Sequence, residues 1–230
     1  PVYNEAENIL SLYNEIEQVL KECTLENYEI IFVNDFSIDI SKDIINNIIN
    51  NNKKVRLISN NINKGQSFSI FKGVNNAKYA TIVTIDGDGQ NIPIDMKKLL
   101  EYYNKDNTKL VGGIRNNRKD SIIKKISSWI ANIIRSIYLN DGCSDTGCGL
   151  KVFDKKIFLE QEYFNGIHRF LPALFRGQGH KTIFVNVKHR RRKYGKSKYG
   201  TYKRMINGIK DMLYVKKLLK NRWVFINSLV

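Results

Sequence analysis

With 230 residues, 42% hydrophobic and 26% charged, the chain has apolar material for one ordinary domain and too little length for two. Cys23, Cys143 and Cys148 form no disulfide framework and read as reduced thiols of an intracellular compartment. No run reaches the ~18 apolar residues of a spanning helix, and no basic-then-apolar leader opens the sequence. The net charge of +16 is uneven: from Lys181 to Arg222 there are fifteen Lys or Arg and one acid, Asp211, a balance of +14, which points to nucleic acid, anionic lipid or a phosphorylated substrate.

Apolar residues at Ile9, Leu12, Ile16 and Val19 or Leu20 predict a helix between Glu5 and Glu22. Tyr28 to Val33 reads as a strand, Ile40 to Asn51 as a helix, Val55 to Ile58 as a strand, Gly65 to Ala77 as a helix and Ala80 to Ile85 as a strand. Pro93 suits the first position of a helix running to Tyr102, and Leu110-Val111 begins another strand. This alternation predicts an α/β fold, a mostly parallel central sheet with helices on both faces. Pro1 to Glu5 reads as the loop after a strand that the sequence lacks. Trp223 to Val230, behind Lys216, Lys217, Lys220 and Arg222, reads as the flank of a membrane helix or as an ordinary closing element. The expected division is a catalytic domain over 1–200 and, over 201–230, a basic amphipathic helix leading into a membrane-proximal segment.

Directly after the strand ending at Ile85 comes Asp86-Gly-Asp-Gly-Gln-Asn91. Aspartates two apart on extended backbone point to one side, and the glycines permit a tight turn that brings their oxygens together. Asp86, Asp88 and Gln90 at the C-terminal edge of a parallel sheet would make a hard-oxygen site for Mg²⁺ or Mn²⁺. A calcium EF-hand is excluded, because its sixth and twelfth positions would be Asn91 and Lys97 rather than Gly and Glu. A P-loop ending at Gly195-Lys-Ser197 would need Gly where Arg190 stands. His168, His180 and His189 are too dispersed for a zinc pattern. Asp35, with Ser37 and Asp39, supplies a second acidic loop at the same sheet edge.

Taken in order, these residues match a known family. Pro1-Val-Tyr-Asn-Glu-Ala-Glu-Asn8, Asn34-Asp-Phe-Ser-Ile-Asp39, Asp86-Gly-Asp-Gly-Gln90, Gly113-Ile-Arg115, Ser144-Asp-Thr-Gly-Cys-Gly-Leu-Lys-Val-Phe153, His168-Arg-Phe-Leu-Pro172 and His189-Arg-Arg-Arg-Lys-Tyr-Gly-Lys-Ser-Lys-Tyr199 span almost the whole chain. In this series the chain resembles the family 2, GT-A-fold glycosyltransferases of the polyprenyl-phosphate, dolichol-phosphate mannosyltransferase-like branch. The resemblance implies that Pro1, Tyr3, Glu5 and Asp35 line the nucleotide pocket, together with Asp86. It implies that Asp86, Asp88 and Gln90 hold the divalent metal against the diphosphate. Arg115 and the Lys125 to Ser128 region would face the acceptor phosphate, and Arg192, Ser197 and Lys198 would close over the phosphates on a loop that also carries His189. Asn34 and Lys125 depart from the commonest family residues.

An acceptor phosphate is already anionic at neutral pH and needs no general base, which accords with the lack of an obvious one; it needs cationic positioning, which the run from His189 to Lys198 would provide. The expected activity is therefore inverting transfer of a hexose-like sugar from GDP-mannose or a UDP-sugar to a polyprenyl phosphate, by a peripheral protein on the cytoplasmic face of an anionic membrane. Transfer to a sugar hydroxyl would require a positioned carboxylate base. A nucleic-acid-binding module fits the charge but leaves Asp86 to Gln90 unexplained. Ile122 to Ile134, with Trp129, and Met205 to Leu219 are candidate interfacial helices, with core packing the competing reading of the first.

Overall fold

The computed structural model describes residues 1–115, 132–192, 194 and 201–227, with the side chains of 201–206 and 222–227 left aside. Helix α1 (Ala6–Glu22) is followed by β1 (Ile30–Asn34), α2 (Ser41–Asn51), β2 (Val55–Ser59), α3 (Gln66–Asn76), β3 (Thr81–Thr84), α4 (Asp95–Tyr103) and β4 (Leu110–Arg115). Helical residues 132–139, here α5, precede β5 (Lys151–Asp154), α6 (Lys155–Leu159), a 3₁₀ turn at Ile167–Arg169, α7 (Leu171–Gly177), β6 (Thr182–Val187) and α8 (Thr201–Asn227).

The alternation expected of the first half is what forms, and the fold is α/β. β1 and β2 pair in parallel, and Val2 extends that ribbon through a parallel bridge to Asn34. The second sheet has the order β3-β5-β4-β6, with β4 parallel to β6 and β5 antiparallel to both of its neighbours. The sheet is thus mixed, because β5 re-enters it from the opposite direction. α4 begins at Asp95, with Pro93 in the preceding turn, where its carbonyl accepts from the Met96 N–H at 2.9 Å.

Period-two alternation decides which face each strand residue serves. Leu110 and its partner Phe153 pack on one side of the sheet with Ile157, Phe158, Leu171 and Phe175. Val111 and its partner Val152 pack on the other with Leu12, Ile16, Met96 and Leu99. α1 also covers the β1–β2 ribbon through Ile9, against Phe32 and Ile45. α8 is fastened to the first of these cores: Val215 is fully buried, and Met212 and Leu219 pack beside it. Ile209 and Leu213 on the same helix stay exposed.

Candidate active site

The loops at one sheet edge hold one another through backbone hydrogen bonds. Val2 N donates to Val33 O, and Asp35 N donates back to Val2 O, both at 2.8 Å. Asn4 N donates to Ser37 Oγ (2.9 Å), Glu5 N to Ser41 Oγ (3.0 Å), and Asp39 accepts from the N–H groups of Ala6 (3.2 Å) and Ser41 (3.0 Å). Ser37 and Asp39 therefore tie this second acidic loop to the start of the chain. Asp35, also buried, accepts from Asn60 Nδ2 (2.8 Å), Lys64 N (2.8 Å) and Gly65 N (2.7 Å), and so fixes the approach to α3.

β3 delivers Asp86 to the centre of this edge. Gln66, the first residue of α3, donates its amide to Asp86 Oδ1 at 2.7 Å. Gly87 lies against the opening loop so closely that a Cβ there would stand 2.8 Å from Pro1 O. The backbone of Gly149 covers the Asp86 carboxylate from the other side, leaving no room for a side chain, and its carbonyl accepts from Thr84 Oγ1 at 2.9 Å. Burial, and next the charge of Asp88, push the Asp86 carboxyl above its ordinary pKa; Lys151 and Arg115 pull the other way.

The basic segment after β6 is laid along the acidic turn. Asn91 and His189 form an antiparallel bridge, and Arg190 N donates to Gln90 O at 3.0 Å. Arg190 Nε donates to Gly89 O, and its guanidinium pairs with Glu15 at 2.9 Å. Arg192 reaches Asp88 Oδ2 at 2.6 Å and Glu5 Oε1 at 3.6 Å; Glu5 itself accepts from Asn8 Nδ2 at 2.8 Å. A guanidinium thus stands where the acidic turn would meet a cation's charge.

Arg115, at the end of β4, is gripped by Asp145. Its backbone N donates at 3.1 Å, and Nε and Nη2 donate at 2.7 Å each. Burial opposes the charge of this guanidinium, but the two-pronged bond to Asp145 outweighs it and holds the pKa above the ordinary arginine value.

Of the residues expected from the sequence, Pro1, Glu5, Asp86, Asp88, Gln90, His189 and Arg192 meet in one place. Asp35 stands at the start of α3, bonded to the Lys64 and Gly65 N–H groups, Tyr3 is half-buried between the bridge at Val2 and the Asn4–Ser37 bond, and Arg115 approaches from β4. Lys125, Ser128, Ser197 and Lys198 lie outside the described residues. Gln66 carries no signal in the sequence, while Asp145 and Lys151 fall within the matched run Ser144 to Phe153 and Arg190 within the basic run His189 to Lys198, with nothing there to indicate these partners.

Asp86 and Asp88 offer hard carboxylate oxygens of the kind a divalent cation takes, and the charge of Asp88 acts on the Asp86 carboxyl. No group of three His, Cys, Asp or Glu side chains capable of holding a metal occurs among the described residues.

Sheet-edge loops, a paired-aspartate turn and a basic strap thus meet at one edge of the fold. The model of Glycosyl transferase family 2 matches residues 1–160, and the chain belongs to that family. It is 32% identical, over 216 residues and 93% of its length, to an undecaprenyl-phosphate 4-deoxy-4-formamido-L-arabinose transferase of Pectobacterium carotovorum, of which it covers 64%. The corresponding transferase of Proteus mirabilis is 31% identical over 217 residues, 93% of this chain and 65% of that protein. The chain thus spans slightly less than two thirds of these curated relatives. A glucosyl-3-phosphoglycerate synthase of Mycobacterium tuberculosis, solved with Mn²⁺, UDP and glucosyl-3-phosphoglycerate, superposes with a TM-score of 0.69 at 14% identity, covering 94% of this chain and 77% of that one. That likeness establishes the shared fold.

Proposed function

We propose that the chain is the catalytic domain of a divalent-cation-dependent, inverting glycosyltransferase that moves a sugar from a nucleotide diphosphate to a polyprenyl phosphate. The observation that carries this reading is the docking of the basic segment 188–192 on the aspartate turn, through the Asn91–His189 bridge and the Arg192–Asp88 pair. Cations and acids so placed suit a reaction in which one phosphate group leaves and another attacks. A bound divalent ion would supply charge neutralisation at the departing diphosphate. Asp86 and Asp88 would hold it, Gln66 would fix the orientation of Asp86, and Arg192, once displaced from Asp88, would be available to phosphate oxygens. Arg115, oriented by Asp145, would present its outer edge to the acceptor phosphate. The kind of relative the chain resembles supports a polyprenyl-phosphate acceptor and leaves GDP-mannose and UDP-sugars as competing donors. The test is transfer of radiolabelled sugar from GDP- and UDP-sugars, with Mn²⁺ or Mg²⁺, to undecaprenyl phosphate or to an oligosaccharide. Label reaching only the oligosaccharide refutes the acceptor assignment, and a product that keeps the donor's anomeric configuration refutes direct attack.

Such an acceptor is met at a bilayer, and we place an anionic membrane surface against α5 and α8. Among the described residues no helix is long and apolar enough to cross a membrane. Ile134 and Ile137 of α5 and Ile209 and Leu213 of α8 are exposed, and Ile137 is 77% so. Lys216 joins the two helices by donating to Tyr138 O at 2.8 Å, and Lys210, Lys217 and Lys220 add exposed charge. Ile137→Glu is expected to reduce flotation with phosphatidylglycerol-containing liposomes about tenfold with the melting temperature unchanged, since burying one such side chain contributes roughly 1.5–3 kcal/mol. Unaltered flotation would remove α5 from the contact.

A further inference from the structure

Lys151 opens β5 in the middle of the second sheet, opposite Thr84 of β3 and Gly112 of β4, and is 4% exposed. An ammonium withdrawn from water is costly unless its hydrogens find acceptors, so a methionine or valine would be the simpler occupant of such a register position. Among the described residues no carboxylate stands within ion-pair distance of Lys151; its Nζ donates to Cys148 O and, at 3.3 Å, to Thr146 O. Both acceptors belong to the loop between Asp145 and Gly149. One buried charge therefore ties down a loop from beneath, at two points.

That loop does two things for the site. Its first residue, Asp145, takes Arg115 at three donors, and its last, Gly149, lies flat on the Asp86 carboxylate. Asp145 O accepts from Cys148 N at 3.4 Å, closing the loop on itself. Slack at Cys148 and Thr146 would reach Asp145 within three residues, and a bidentate pair tolerates little displacement before its geometry fails.

We propose that Lys151 is a positioning residue for sugar transfer: by pinning Thr146 and Cys148 it sets Asp145, which in turn aims Arg115 at the anionic acceptor. The inference rests on the reading of Arg115 given above, and it makes Lys151 and Arg115 members of one chain of action.

A double-mutant cycle tests it, using the whole protein with sugar nucleotide, Mn²⁺ and undecaprenyl phosphate. Lys151→Met should lower turnover about 100-fold, the order associated with moving a reacting group by an ångström. Its affinity for UDP with Mn²⁺, read by calorimetry, should fall by less than turnover does, the smaller loss reflecting the Lys151 charge that favours ionised Asp86 and the hold on Gly149 beside it. In the Arg115→Gln background the same substitution should cost less than about threefold, since coupled sites do not add. Losses that multiply in the double variant, or donor affinity falling in step with turnover, would show a general structural role and overturn the proposal. So would wild-type turnover in Lys151→Met. If that variant does not fold, Lys151→Gln, whose amide can still donate to a carbonyl, carries the same cycle; failure of both to fold assigns Lys151 to stability and likewise overturns it. A wild-type protein that transfers no sugar to any polyprenyl phosphate would instead sink the acceptor reading and this inference along with it.

Discussion

Asp86→Asn is expected to lower sugar transfer about a thousandfold and to abolish stabilisation by Mn²⁺ while leaving the fold intact. Asn keeps the oxygen that accepts from Gln66, so the local hydrogen bond survives and only the charge is lost. That charge is a burden on the metal-free protein. Burial and the neighbouring Asp88 raise the Asp86 pKa above the ordinary 3.8, so the folded state binds this proton more tightly than the unfolded chain does. Its contribution to stability is consequently full below 3.8 and is lost as pH rises through the elevated folded value. At neutral pH without metal, Asp86→Asn should therefore melt at the wild-type temperature or above it. With Mn²⁺ and UDP the order should reverse, because a ligand that binds the ionised site stabilises only the wild type. Thermal melts at pH 5 and 7.5, with and without Mn²⁺ and UDP, check each sign. A variant that melts well below wild type in the absence of metal, yet still gains from Mn²⁺, would show that Asp86 is structural and that the cation sits elsewhere.

How far the sequence announces this site depends on the range of the forces that make it. The elements from α1 to β4 were legible because each buries one face, and the spacing of Ile9, Leu12, Ile16 and Val19 records that burial directly. The aspartate turn was legible for a similar local reason: acids and glycines alternate straight after an apolar strand. What could not be read was the return of the chain. β5 enters antiparallel between β3 and β4, and nothing local to Lys151-Val-Phe states which strands will flank it, since that choice is made by the two hydrophobic layers it separates. Partners far apart in sequence follow from that topology. Asp145 meets Arg115 across 30 residues, and Gln66 meets Asp86 across 20. The basic run was visible as charge, but its first arginines serve the acidic turn in different ways. Arg190 braces the turn backbone and Glu15, whereas Arg192 reaches the carboxylates of Asp88 and Glu5. A charge count cannot separate these roles.

Gly149→Ala offers a steric rather than electrostatic route to the same site, with an expected loss of about 100-fold or more in both Mn²⁺-dependent UDP affinity and turnover. A methyl group added at Gly149 falls on all three carboxyl atoms of Asp86. Neither partner has an easy retreat. Thr84 Oγ1 holds the Gly149 carbonyl at 2.9 Å and Lys151 ties down the neighbouring Cys148 carbonyl, while Gln66 and the packing of Gly87 against Pro1 constrain Asp86. The carboxylate is the end of a short side chain, so it must rotate away and lose its bond to Gln66. The control is Gly208→Ala in α8, where an added methyl meets nothing within 4 Å. Removing a glycine from a helix interior should stabilise the protein by about 0.5–1 kcal/mol and leave transfer unchanged. Titrating Mn²⁺ by electron paramagnetic resonance separates binding from chemistry. If Gly149→Ala binds Mn²⁺ and UDP as wild type does, the orientation of Asp86 imposed by the 145–149 loop has no part in holding the cation, and the aspartate turn must act through Asp88 alone.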